Sequence, residues 1–184
     1  MGDVLQVKGL AGYPNEIGRW LWTMQAVRQK TLELVEGLDQ ATLDWQGPDG
    51  RENAIGSLLY HIAVVEMSWL HFDLLLRKDF PPEVSSLFRV EPWKDGVLAH
   101  IPNASLEEHL SRLEQSRSVF LNAFRGMTLE DWRTLRIPSE DEQVTPEWVV
   151  FHLMEHEAGH AYQIASIKRR ASHYVGKGTT ESPQ

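Results

Sequence analysis

Cysteine is absent from all 184 residues. There is therefore no disulfide, no thiolate metal ligand and no cysteine nucleophile, and any metal must be held by histidine and carboxylate. Long apolar runs are missing too: none approaches the roughly 18 residues of a membrane span. The opening stretch MGDVLQVKGLAGYPNE has neither a basic n-region nor an apolar h-region, which leads us to expect a cytoplasmic protein without a membrane partner. Basic residues are in the minority, 18 against 26 acidic ones, for a formal net charge of -8. Such a charge repels nucleic acid and anionic lipid, so no nucleic-acid partner is expected. The one basic cluster, Lys168-Arg169-Arg170, reads as cations near a helix C-terminus.

What is present is a chain with 42% hydrophobic content, sufficient for one core and a single domain over 1–184. Helical periodicity dominates in four segments. Residues 15–37 place Ile17, Leu21, Met24, Val27, Thr31 and Leu34 on one stripe, and residues 53–77 do the same with Leu58, Ile62, Val65, Trp69, Phe72 and Leu76. Residues 105–126 open with Ser105-Leu106-Glu107-Glu108, a capping box, and residues 145–170 open with Thr145-Pro146. No segment alternates as a strand, so the expected fold is an all-α four-helix bundle with a helical core over about 14–170. The proline-bearing stretch from Lys78 to Ala104 makes a long connection between the second and third helices, and the polar tail 175–184 is expected to be flexible. An internal echo links GLDQATLDW with GMTLEDW, each ahead of a histidine-bearing helix. It reads either as ordinary turn composition or as a pseudo-twofold repeat.

His156-Glu157-Ala158-Gly159-His160 spells the H-E-x-x-H of zinc proteases. On a helix the two histidines lie about 40° apart and one turn along, inside the apolar stripe of Val149, Leu153, Ile164 and Ile167. Two imidazoles on a core face need partners, and a divalent cation supplies both at once. The protease reading fails on its third ligand: Gln163 and Ser166 stand where the extended motif needs glycine and histidine, and the only later glutamate is Glu181. His61, inward-facing on the second helix, is the best-placed third ligand. His152 extends the row by a turn as a rim residue, and Gln163 lies beside the pair. His71, His100, His109 and His173 fall off the inward faces or near loops. Glu157 reads either as a base or as a solvated helix residue, and Glu66 is the weaker carboxylate. Trp20, Trp69, Trp93 and Tyr162 are aromatic candidates for a pocket or for plain core.

With His61 in IGSLLYHIAVVEMSWL and His156 and His160 in VVFHLMEHEAGHAYQI, followed by Gln163, the chain resembles the DinB/YfiT-like family of bacterial metal-dependent enzymes. The resemblance implies a four-helix bundle with one metal histidine on the second helix and two on the fourth. It also implies a divalent metal (zinc, with nickel, iron or manganese as others) and chemistry of thiol S-transferase or hydrolase type on a small electrophile, with a low-molecular-weight thiol as co-substrate. A non-catalytic metal-binding stress-response bundle is the other reading, and a homodimer is compatible with either. Ala161 and Tyr162 replace the Arg-Gly that the family often carries between its last histidine and the glutamine.

Overall fold

The computed structural model describes residues 5–94 and 96–175. The expected flexible tail lies outside the described residues beyond Val175. Four long helices carry the fold: α1 (Asn15–Val35), α3 (Ile55–Ser68), α5 (Leu106–Ala123) and α7 (Pro146–Val175), joined by the short α2 (Gln40–Asp44), α4 (Pro82–Ser85) and α6 (Leu129–Arg133). The all-α class is as expected. The Lys78–Ala104 connection holds α4 and a hairpin of two two-residue strands, β1 (Trp93–Lys94) and β2 (Val97–Leu98). Strands that short carry no alternation for a sequence reading to detect.

The helix ends follow local chemistry. Ser105 Oγ accepts from the Glu108 amide while the Glu108 carboxylate accepts from the Ser105 amide, closing the capping box of α5. Thr145 Oγ1 accepts from the Trp148 amide at the start of α7. The second helix departs from its regular expectation. After Ser68 the chain widens into a π-helical turn, Trp69–Leu74, and Leu76 takes φ 51°. The helix ends with that turn, ahead of the expected end at residue 77, and Leu76, beyond it, is 51% exposed rather than inward.

The internal echo is a structural equivalence. Gly37 and Gly126 both take positive φ. The one-turn helices that follow are capped alike, by Asp39 on the Thr42 amide and by Thr128 on the Asp131 amide. The basic cluster ties elements together: Lys168 Nζ donates to the Leu34 carbonyl, and Arg170 pairs with Glu52 ahead of α3.

α7 packs on α1 and α3, and α3 packs on α5. Lying between neighbours, α3 is buried almost all round rather than on one stripe. The apolar core has two parts. One gathers Ile17, Leu21, Met24, Met67, Phe120, Phe124 and Leu153, and the other Val35, Leu43, Leu58, Ile62, Leu113 and Ile164. On each long helix a charged residue stands at the boundary: Arg28 on α1, Glu66 on α3, Arg117 on α5 and Glu157 on α7, all buried.

Candidate metal centre

Those four residues form a closed ring. Arg28 donates from Nε to Glu157 Oε1 at 2.6 Å and from Nη2 to Glu66 Oε2 at 2.8 Å. Arg117 donates from Nε to Glu66 Oε1 at 2.6 Å and from Nη2 to Glu157 Oε2 at 2.9 Å. Every carboxylate oxygen thus receives one guanidinium N–H. The remaining arms are held as well, Arg28 Nη1 by the Leu113 carbonyl and Arg117 Nη1 by the Met24 carbonyl and Gln25. Buried charges are tolerated when paired and fully hydrogen-bonded, and this ring meets both conditions.

The ring settles where Glu157 points. It is 2% exposed, which overturns its reading as a solvated helix residue. Burial alone would raise its carboxyl, but Arg28 and Arg117 hold it below the usual carboxylate range. Both oxygens are occupied by donors, a poor condition for taking a proton from substrate. The sequence reading missed Arg28 and Arg117. Their signal lay in plain view: each takes a stripe position, Arg28 between Met24 and Thr31, Arg117 between Leu113 and Phe120.

On the same layer, α3 and α7 bring three imidazoles together. His61, His156 and His160 offer ring nitrogens that all lie within 4.8 Å of one another. Nε2 of His156 is 2.9 Å from Nε2 of His61 and 3.0 Å from Nε2 of His160. Nδ1 of His160 lies 3.0 Å from the Gln163 side-chain oxygen. With that nitrogen donating, Nε2 of a neutral His160 presents its lone pair inward. Burial holds His61 down to about 4 and His156 down to about 3, their imidazole neighbours adding to it. Burial lowers His160 also. All three are neutral near pH 7, the form that ligates metal.

The donor set fits a cation better than a proton. A single proton on one Nε2 serves one of the two close contacts well, whereas a cation at the centre serves all three nitrogens. Two zinc–nitrogen bonds of about 2.1 Å at the tetrahedral angle would set their nitrogens about 3.4 Å apart, so a bound ion would need the imidazoles to spread by a few tenths of an ångström from the observed 2.9 and 3.0 Å.

The other residues singled out by sequence divide clearly. His152 stacks face to face on Trp148, with ring centroids 5.0 Å apart, and tilts against Trp69 at 4.8 Å. It lies on the rim, 6.2 Å from the His156 ring centroid. Trp93, on the hairpin, meets His61 edge to face at 4.8 Å. Trp20 packs against the apolar core. Tyr162, where the family often has glycine, is 79% exposed, turned to solvent rather than lining a pocket. His71 and His109 are buried, contrary to the expectation that His71 turns off the inward stripe and that His109 lies near a loop or on a solvated face. His109 sits at the α5 face that packs on α3, and its Nδ1 accepts from Arg112 at 3.2 Å. His100 and His173 are exposed, as expected.

No helix among the described residues is long and apolar enough to cross a membrane. No curated protein matches the chain. A family profile described as DinB superfamily matches residues 23–164. That span covers well over half of the chain and includes all three clustered histidines, and the chain belongs to the DinB superfamily.

Proposed function

We propose that His61, His156 and His160 hold one divalent cation through their Nε2 atoms and that the protein uses it as a metal-dependent enzyme. The reaction is of thiol S-transferase or hydrolase type on a small electrophilic molecule. The observation that carries this reading is the convergence of three neutral imidazole nitrogens with no fourth side-chain ligand grouped with them among the described residues. A structural ion is usually closed by four protein ligands, while a catalytic one keeps a position open. His152, the candidate for a closing ligand, is held in its aromatic stack instead. When bound, the ion acts as a Lewis acid and lowers the pKa of a coordinated water or thiol.

The chain's own residues supply the frame. Gln163 fixes the ring of His160, Trp93 packs edge to face on His61, and Trp69 and Trp148 pack on each other and on His152 beside the cluster. The Arg–Glu ring fixes α3 against α7, and with them the spacing between His61 and the histidine pair. Nickel, iron and manganese are alternatives to zinc for this donor set.

The test is the metal content of purified protein, wild type against His61→Ala and His156→Ala. Loss of stoichiometric metal in both variants is expected, and retention in both would overturn the site. Assays of the metal-loaded protein with cysteine or glutathione and 1-chloro-2,4-dinitrobenzene then test the chemistry. Metal-dependent thioether formation is expected, and inactivity across a broad panel of thiols and electrophiles would favour a non-catalytic metal-binding protein.

A further inference from the structure

α1 packs on α7 and α5 packs on α3, and the two pairs leave a seam between α1 and α5. The seam is a groove with a volume of about 710 Å³, within the range of sites for small organic ligands. It runs along α1 from Gln25 to the helix end at Val35, about 15 Å by helical rise, and on to Gly37. Leu32, Leu106, Leu110, Leu113 and Leu121 line its apolar part. Its charged lining is Glu33, Glu36 and Glu114 together with Arg28 and Arg117.

The two arginines contribute little net field, because each is paired with both Glu66 and Glu157 inside the core. The three glutamates stand exposed on the rim with no cation of the lining opposite them. An apolar trough with an uncompensated acidic rim is complementary to a molecule with an apolar body and a positive head. It repels the corresponding anion. A folded protein partner would need a far larger contact surface than this trough provides.

We infer that the α1–α5 groove is a second ligand site, separate from the histidine cluster, that takes an amphiphilic organic cation. The apolar tail lies along the leucines and the ammonium head rests among Glu33, Glu36 and Glu114. Arg117 lines the groove and also reaches the small internal void beside His156. The occupied groove would therefore touch the Arg–Glu ring from the side opposite the imidazoles.

Isothermal titration of the full chain with decyltrimethylammonium, below its micelle concentration, tests this directly. One-to-one binding is expected, with decyl sulfate binding at least tenfold more weakly. Glu33→Gln with Glu114→Gln should weaken the cation by roughly fivefold, and Leu110→Gln by roughly tenfold, each with wild-type circular dichroism. His61→Ala should leave the affinity unchanged, which separates this site from the metal centre. Absence of cation binding, equal binding of decyl sulfate, or affinity indifferent to the glutamate and leucine changes would overturn the proposal.

Discussion

His61 and His156, 95 residues apart in the chain, bring their Nε2 atoms to 2.9 Å. Because burial holds their pKa values at about 4 and about 3, protons compete poorly for these nitrogens in mildly acid solution. An ordinary imidazole site begins to lose its metal as pH falls below about 6.5. Burial lowers His160 as well, so metal loss should begin at a lower pH here than at an ordinary imidazole site. Equilibrium dialysis at stepped pH reads this directly, and half-loss of metal near pH 6.5 would contradict it.

The Arg–Glu ring predicts an asymmetry between single and paired changes. Arg28→Met leaves two buried carboxylates with one guanidinium, and should cost about 3–5 kcal/mol of stability. Adding Glu157→Gln restores the balance of charge and should recover a substantial part of that loss. Urea unfolding of the two variants, and of Glu157→Gln alone, measures both. A double variant less stable than Arg28→Met by the full cost of Glu157→Gln alone would show that the ring members act independently.

Two helical glycines make opposite predictions. A Cβ on Gly56 would stand 2.9 Å from His109 Nε2, in the packed α3–α5 contact, so Gly56→Ala should destabilise by about 1–3 kcal/mol. A Cβ on Gly159 meets nothing within 4 Å. Gly159→Ala should therefore stabilise α7 by about 0.5–1 kcal/mol through helix propensity alone. Thermal unfolding of the pair distinguishes packing from propensity, and a shift of the same sign in both would refute the contrast.

Acid should weaken the metal-free fold in a definite window. Burial lowers His109 to about 4 in the folded chain, from 6.5, and His61 and His156 share the direction. Between those values the unfolded chain binds more protons, so stability is full above about pH 6.5 and declines as pH falls towards 4. Asp73, which burial raises to about 6, opposes this as a single carboxyl against three imidazoles. The urea midpoint of the metal-free protein should therefore drop between pH 7 and pH 4.5, with a shallower drop in His109→Gln. A midpoint that rises over that interval would contradict the reading.

The long helices were legible because their cap residues and apolar stripes are local signals: Ser105 and Glu108 announce α5, and Thr145 announces α7. The inward-facing trio of His61, His156 and His160 was legible for the same reason, since helical angle alone turns each residue inward. Helical angle does not say which helix lies opposite, so Glu157 could not be distinguished from a solvated residue until Arg28 and Arg117 were found facing it. The same limit hid the burial of His109, which depends on α3 passing close at Gly56. The π-helical turn at Trp69–Leu74 changes the register of a sequence that reads as regular helix.

Each long helix contributes one charge to the buried ring, two positive and two negative. Any fragment that lacks one of them carries an unpaired charge into its core, whichever helix is removed. Partly assembled forms with two or three docked helices are penalised by electrostatics beyond their lost apolar contact. Unfolding should accordingly be all-or-none, with no stable three-helix intermediate, despite an apolar core divided into two parts.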